Sequence, residues 1–159
     1  MRAIVATLFA IGLSAATAVA QTQAVPKAPA PGSAATYKAA EDLAAVLKGA
    51  KPTAGGMTTS AVANTDQYRV NIVRRDQSAG AIAHAGNTEL HYIIQGTGTV
   101  VTGGTIMPGT GGQPATIANG VTQRVKPGDV VIVPADSPHW YSQVDGAITY
   151  LEVRWLAPK

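Results

Sequence analysis

From Tyr68 onward the chain consists of short segments rich in Val, Ile, Thr and Tyr, separated by Gly, Pro, Asn and Asp. The segments are "YRVNIVRR", "GAIAH", "ELHYIIQG", "GTVVTGG", "TQRVKPGDVVIVP" and "AITYLEVRW". Such a pattern is typical of antiparallel strands joined by tight turns, and it lacks the strand-helix alternation of a parallel sheet. The sequence therefore predicts an all-β sandwich or small barrel over residues 68–159. The intervening stretch "GGTIMPGTGGQPATIANG" is predicted to be a long hairpin excursion.

The first twenty residues, "MRAIVATLFAIGLSAATAVA", have the pattern of a signal peptide. One Arg precedes an apolar run that is too short for a spanning helix, and Ala18-Val19-Ala20 supplies a small-x-small cleavage site. We expect residues 1–20 to be removed, so that the mature chain begins at Gln21. This predicts a secreted or periplasmic protein with no membrane attachment after cleavage, and a short membrane anchor is the alternative.

Two segments separate the signal peptide from the β-rich region. Residues 21–35 are rich in Ala and Pro without periodicity, which predicts a disordered or extended leader. Residues 36–67 are expected to hold one amphipathic helix and a connecting segment. Thr36 is a candidate N-cap, and Pro52 bars continuation of the helix. The apolar stripe of this helix consists of Leu43, Val46 and Leu47.

Charge and cysteine content exclude several classes of function. Removal of Arg2 with the signal peptide leaves 11 basic residues against 9 acidic ones, a net charge of +2. This weak bias, without any run of Lys or Arg, argues against a nucleic-acid partner. The chain has no cysteine, which rules out disulfides and thiolate chemistry. Metal ligands must therefore be His, carboxylate or Met.

The histidines of the chain are concentrated in the β-rich region. There are three, His84, His91 and His139. Glu89 and His91 lie one residue apart within a predicted strand, so they project from the same face, about 6.5–7 Å apart along the strand. If that face lines the interior of the protein, a carboxylate and an imidazole there indicate a polar site rather than a simple core.

The contexts of these histidines, "GAIAHAGNTELHYIIQG" and "GDVVIVPADSPHWYSQV", resemble the two motifs of the cupin superfamily. In the first motif of that family, two histidines are followed by a Glu and then a Gly. His84 matches the second of these histidines, and Glu89 and Gly96 follow at the family spacing. In the second motif Gly128, Pro134 and His139 match in order and spacing. The matched motifs lie within residues 80–145.

The chain also departs from this family pattern at identifiable positions. Ile82 occupies the position of the first motif-one histidine, and Asp76 the position of the Gly that often opens the motif. In the second motif Asp136 and Gln143 stand where a Gly and an Asn are common, which we interpret as turn variations. One expected metal ligand is thus missing, and an additional histidine occurs at His91.

The resemblance implies an antiparallel double-stranded β-helix, the jelly-roll barrel of cupins, preceded here by one N-terminal helix. It also implies a metal site formed by His84, Glu89 and His139. We expect His91 to supply the nitrogen that is lost at position 82. Tyr141 should share the face of His139, where it would donate a hydrogen bond to a bound oxygen species or take part in redox chemistry. Glu89 would act as a base if it is not a ligand.

Structural interpretations of the same residues remain open at this point. Glu89 would be a buried carboxylate paired with Arg74 or Arg75, and His91 a hydrogen-bonded core residue. His84 would be exposed in a turn, and Ile82 would indicate a packed interior. Tyr141 would be an aromatic side chain that lines the barrel, whereas Trp140 should point to the opposite face and serve packing.

The expected cofactor is one transition-metal ion, because imidazole and carboxylate ligands suit Cu, Zn, Fe, Mn and Ni. The divalent affinity order favours copper in an exported protein. The predicted function is a metal-dependent oxidoreductase that acts on a small organic or carbohydrate substrate. The alternatives are a non-catalytic sugar- or metal-binding module and a redox-silent zinc isomerase or lyase. Since cupins frequently dimerise through their sheets, the apolar segment 148–155 is a candidate homodimer surface.

Overall fold

The computed structural model describes residues 24–53 and 55–157. The predicted signal peptide and its cleavage site lie outside these residues. The described chain forms one helix and eight strands, namely α1 (Ala40–Gly49), β1 (Met57–Asn64), β2 (Tyr68–Arg75), β3 (Asn87–Thr102), β4 (Thr105–Met107), β5 (Thr116–Ala118), β6 (Val121–Val125), β7 (Val130–Val133) and β8 (His139–Leu156). The prediction of an all-β fold with one N-terminal helix is confirmed. No described helix has both the length and the apolar character needed to cross a membrane.

Two long strands, β3 and β8, organise the barrel. The main sheet has the order β1-β2-β8-β3-β6, and β7 also pairs with β3. All of these pairings are antiparallel. The β3–β8 ladder contains register shifts between Ile93 and Gln95, between Gln95 and Thr97 and between Thr99 and Val100. Because an extra residue bends and twists a strand locally, these irregularities help the sheet to curl around its apolar face.

The inner face of the sheet holds the hydrophobic core. Its members are all buried β-branched, aliphatic or aromatic side chains that recur at every second position of the strands. They are Val73, Ile93, Val100, Val125, Val131, Val133, Tyr141, Ile148 and Tyr150. The opposite face of β3 and β7 carries partly exposed apolar side chains, among them Tyr92 and Ile132. The alternation predicted for these strands is thus observed.

Gly96, the glycine matched to the first motif, has a backbone role. It adopts a positive φ of 79°, and a Cβ at this position would overlap the carbonyl oxygen of Ala147. β3 and β8 therefore approach each other too closely here for any side chain. The short strands β4 and β5 pair only with each other, which confirms the predicted hairpin excursion.

The structure differs from the sequence expectations before Tyr68. Met57–Asn64 forms a strand paired with β2, in a segment for which only a connection was expected. The helix begins at Ala40, and Ala39 precedes it in an extended conformation without a side-chain cap. The prediction of Thr36 as the N-cap is therefore wrong. Within the described part of the leader, the backbone N–H of Asp66 donates to Pro26, and Ala28 donates to the Asp66 carboxylate.

Candidate metal centre

Three elements bring the candidate ligands together. β3 places Glu89 and His91 on the inner face, where each is 1% exposed. The first residue of β8, His139, is buried and forms an isolated bridge with Ile82. This bridge holds the segment that leads into the turn at His84, whose side chain is 26% exposed. The segment "GAIAH", which was predicted to be a strand, forms only this isolated bridge, and Glu89 is the third residue of β3 after the turn.

The carboxylate of Glu89 lies at the centre of the three imidazoles. The Nε2 atom of His84 is 3.4 Å from Oε1 of Glu89. The Nε2 atoms of His91 and His139 are 3.2 Å and 3.8 Å from Oε2 of the same carboxylate. The three histidines that the sequence predicts as candidate ligands therefore all lie around the fourth candidate, Glu89.

Within the described residues these side chains form two groups that could hold a metal ion. One group consists of His84, Glu89 and His139, and the other of Glu89, His91 and Glu152. The ligand atoms of each group lie within 4.8 Å of one another. Glu89 belongs to both groups, whereas His91 is grouped with a second buried carboxylate rather than with the other two histidines.

Glu152 was not among the residues expected at the site. It lies on β8 opposite His91 and is 5% exposed. It accepts hydrogen bonds from Asn71 at 2.9 Å and Arg154 at 2.8 Å. The signal that could have revealed it is the alternation of polar Glu152 and Arg154 with apolar Leu151 and Val153, which places both polar side chains on the inner face.

The arginine beside Glu89 is Arg154. Its Nε atom lies 3.4 Å from Oε2 of Glu89. Arg74 instead pairs with Asp76, and Arg75 donates to the hydroxyl of Tyr150 at 2.9 Å. The alternative interpretation that placed Arg74 or Arg75 beside Glu89 is therefore wrong, because the β8 register sets Arg154 directly opposite Glu89.

The electrostatics of the site favour the protonation states that bind metals. Burial lowers the pKa of His84 and of His139, although the negative charge of Glu89 opposes the shift. Burial alone would raise the pKa of Glu89, but the hydrogen bond with His91 and the nearby charges lower it below its usual value. Neutral imidazoles and an ionised carboxylate are the forms required of metal ligands.

A stacked aromatic layer lies beneath His91. The hydroxyl of Tyr141 is 3.2 Å from Nδ1 of His91, and the ring of Tyr141 stacks on that of Tyr150. The Arg75 guanidinium lies over both tyrosine rings. Burial raises the pKa of Tyr141 well above its ordinary value. Tyr141 is thus both an aromatic residue of the barrel interior and a hydrogen-bonding partner of a site residue.

The turn residue Asp136 connects the two halves of the site. It adopts a positive φ of 63°, so its position in a slot where Gly is common is explained by backbone conformation. Its carboxylate accepts a hydrogen bond from the N–H of Gly86 at 3.0 Å. Its own N–H donates to the carbonyl of His84 at 3.3 Å. The sequence had suggested only a turn variation here.

Two further residues of the motif regions have distinct surroundings. Ile82 is 38% exposed, so the expectation of a packed interior at this position is not met. Trp140 is half-buried, and its indole N–H donates to the carbonyl of Ala79, so the ring is anchored within its own chain.

The candidate homodimer surface, segment 148–155, belongs to β8. This strand lies between β2 and β3 rather than at an edge of the sheet.

Comparison with known proteins agrees with this architecture. The family model described as "Cupin domain" matches residues 69–153, which is more than half of the chain. The protein belongs to the cupin family. No curated protein sequence matches the chain.

Solved structures support the same fold for this cupin. KdgF from Halomonas sp. is 17% identical with a TM-score of 0.51, and the match covers 69% of this chain and 88% of that protein. TT1209 from Thermus thermophilus is 16% identical with a TM-score of 0.54, and the match covers 78% of this chain and all of that protein, 100%. At such identities the similarity concerns the fold alone.

The donor set of this cupin fits a transition-metal ion. The Nε2 atom of His84 is buried and makes no hydrogen bond within the described residues. A buried imidazole nitrogen without a partner is costly unless another group satisfies it. Imidazole and carboxylate donors together suit several first-row metals, so the residues agree with the metal-binding character of the family.

Proposed function

We propose that this cupin is an exported, mononuclear metal-dependent oxidoreductase that acts on a small organic or carbohydrate substrate. The observation that carries the proposal is the unpartnered Nε2 of His84 beside a buried carboxylate that also faces His139. Such a convergence of donors has no evident value for packing, because a buried polar atom without a partner destabilises the fold.

We assign His84, Glu89 and His139 as the core of the ligand set and His91 as its proposed fourth member. The bound metal would supply Lewis-acid and redox chemistry at the open end of the barrel. His84 lies at the most accessible edge of the group, since its side chain is 26% exposed whereas Glu89 and His91 are each 1% exposed. Substrate would therefore approach from the side of His84.

Tyr141 is proposed to act on the centre through His91. Its hydroxyl lies at Nδ1 of His91, whereas Glu89 lies at Nε2 of the same ring. A hydrogen bond at one ring nitrogen fixes the tautomer and the orientation of the other. With its pKa raised by burial, the Tyr141 hydroxyl stays neutral, and its oxygen would accept a hydrogen bond from Nδ1–H of His91, which leaves Nε2 without a proton and able to bind the metal.

Copper is the metal we favour, because it binds mixed nitrogen and oxygen ligands more tightly than the other divalent first-row ions when access is equal. Zinc is the alternative that the same donor set supports, and it would imply redox-silent isomerase or lyase chemistry. Glu89, when it is not coordinated, is placed to accept a proton beside the centre, since His91 and Arg154 stabilise its ionised form.

The test is elemental analysis of the protein purified from its native compartment without a metal-affinity tag. One equivalent of copper that cycles between oxidation states with ascorbate and peroxide is the expected result. One equivalent of zinc would replace the oxidoreductase assignment with isomerase or lyase chemistry. Protein that carries no metal and binds none added back would overturn the proposal and favour a non-catalytic binding module.

A further inference from the structure

Arg154 contacts two buried carboxylates, those of Glu89 and Glu152. Its Nη2 atom donates to Oε2 of Glu152 at 2.8 Å. Its Nε atom lies 3.4 Å from Oε2 of Glu89 and makes no hydrogen bond within the described residues. Arg154 therefore hydrogen-bonds Glu152 but not Glu89, whose oxygens remain available to a metal ion.

The same two carboxylates form the second group of potential metal ligands together with His91. The Nε2 atom of His91 is 3.2 Å from Oε2 of Glu89 and 4.0 Å from Oε2 of Glu152. All three side chains are buried, and buried carboxylates are destabilising unless a cation or hydrogen bonds compensate their charge. Arg154 is the cation that the structure places there, in contact with two of the three members of the group.

The histidines of the first group have no comparable competitor for the metal. The Nε2 atom of His84 is buried without a hydrogen bond in the described part of the chain. The Nε2 atom of His139 faces Glu89 at 3.8 Å. In the second group, by contrast, one oxygen of Glu152 accepts from Arg154 and the other accepts from Asn71 at 2.9 Å. The first group is thus open to an ion, whereas the carboxylate that is particular to the second group is already engaged.

Arg154 also separates the second group from solvent at this end of the barrel. It lines a cavity of about 160 Å³, and neither Glu89 nor Glu152 belongs to the cavity wall. Its side chain is 20% exposed, compared with 1% for Glu89 and 6% for Glu152. An ion that enters from this cavity would have to displace Arg154 before it could reach the two carboxylates.

We infer that Arg154 limits the centre to a single metal ion by acting as the cation of the second ligand group. A divalent ion there would compete with Arg154 for Glu152 and would be repelled by the guanidinium. The number of ions decides the chemistry, because two ions about 3.5–4 Å apart stabilise the attacking and leaving oxygens of a displacement together, whereas one ion acts alone. The inference rests on the proposed function, because it assigns the residue that fixes the number of ions at the same site.

The experiment counts the zinc ions bound by the mature chain and by variants of Arg154. Metal-free protein is loaded with excess zinc and desalted, and zinc is measured per chain. Arg154→Met removes the charge but keeps much of the side-chain volume, and Arg154→Lys keeps the charge. Arg69→Met is the matched control. Arg69 lies opposite Arg154 on the same face of the sheet and makes no ion pair within residues 24–53 and 55–157.

We expect one zinc ion per chain in the wild type, in Arg154→Lys and in Arg69→Met, and two in Arg154→Met. Adding Glu152→Gln to Arg154→Met should return the count to one, because it removes a ligand of the second ion. Metal-free Arg154→Met should melt below the wild type, since two buried carboxylates lose their cation. Zinc should then raise its melting temperature by more than it raises that of the wild type. If Arg154→Met folds only with zinc present, the ions are counted on protein refolded in zinc.

Three results would overturn the inference. They are a single zinc ion in folded Arg154→Met, two ions in the wild type or in Arg69→Met, and a second ion that persists when Glu152→Gln is added to Arg154→Met.

The proposed function fails in a different way. A wild type that binds no zinc, with one Glu152-dependent ion in Arg154→Met, would refute the proposed site at His84 and His139. It would leave Arg154 as the cation that excludes an ion from the second group. One ion in the wild type and one in Arg154→Met would do the reverse.

Discussion

Asp136 and Gly86 are joined by a hydrogen bond of 3.0 Å from the Gly86 N–H to the Asp136 carboxylate. Gly86 lies in the turn between His84 and Glu89, and Asp136 lies in the turn that precedes His139. The bond therefore couples the two chain segments that carry the candidate ligands His84 and His139. Because the N–H of Asp136 also donates to the carbonyl of His84, the position of His84 relative to His139 depends on this turn.

Replacing Asp136 should weaken metal binding without removing a ligand. Glycine tolerates the positive φ at position 136, so Asp136→Gly removes only the carboxylate. We expect metal affinity to fall about tenfold, the lower end of the range typical of residues that support metal ligands. Asp136→Asn retains an acceptor oxygen and also tolerates this conformation, and it should bind metal like the wild type. Isothermal titration of both variants makes the comparison, and equal affinities would argue against coupling through this bond.

His84→Ala and His139→Ala should each abolish tight metal binding while the barrel remains folded. The core of the barrel consists of packed apolar strands, unlike a zinc finger, which needs its metal to fold. Gln123→Ala, at an exposed position of β6, is the matched control. Full stoichiometry and affinity in either histidine variant would refute the assigned ligand set, and circular dichroism reports whether the variants are folded.

The barrel and most of the candidate ligands were predictable because their signals are local. Alternating apolar residues define the strands, and the spacing of His84, Glu89 and His139 matches two motifs in the right order. β1 escaped prediction because its sequence, "MTTSAVAN", consists mostly of small or polar residues and lacks a clear alternation of large apolar side chains. It is a strand because it pairs with β2.

The surroundings of Glu89 were less predictable, because they depend on register between distant strands. Arg154 is opposite Glu89, and Glu152 opposite His91, through the pairing of β3 with β8. A shift by one residue would turn both side chains to the outer face. Sequence alone identified the alternation around Glu89 and His91 in β3, but not which residues of β8 lie opposite them.

The stability of the metal-free protein should decrease between about pH 7 and about pH 5. The pKa values of His84 and His139 are lowered by burial, so the unfolded chain binds more protons below its own histidine pKa of about 6.5. Stability is lost as the pH falls wherever the unfolded state binds more protons. Glu89, with a lowered pKa, adds a further loss when the pH falls through its titration range.

Calorimetry across this pH range checks the sign of the effect. The double variant His84→Gln, His139→Gln lacks both imidazoles and should show a flatter dependence of melting temperature on pH above about pH 5. If wild type and double variant show the same slope, the two histidines do not control acid stability.

Export predicts a mature N-terminus at Gln21, in open or cyclised form. Ala18-Val19-Ala20 provides the small residues that signal peptidase requires. Intact-mass measurement of protein from the extracytoplasmic fraction identifies the terminus. A chain in that fraction that retains residues 1–20 would contradict cleavage, and a replacement of Ala18 and Ala20 by bulky residues should block it.

The sharpest prediction concerns His91, which either binds the metal or supports Glu89. As a ligand, His91→Ala should weaken metal binding about as much as His84→Ala, well beyond the roughly 10–100-fold typical of supporting residues. Ile82→His in the His91→Ala background should then recover part of the affinity. Position 82 is 38% exposed and bridges to His139, so an imidazole can be accommodated there beside the ligand set.

A supporting role predicts different results for the same variants. His91 hydrogen-bonds Tyr141 at 3.2 Å and Glu89 at 3.2 Å, so its loss would leave a cavity and two unpaired buried groups. The melting temperature of His91→Ala would then fall while metal affinity changes little, and Ile82→His would restore nothing. Tyr141→Phe separates the cases further. It removes the Tyr141 hydroxyl at Nδ1 of His91, so it should lower affinity by about tenfold only if the Nε2 atom of His91 binds the metal.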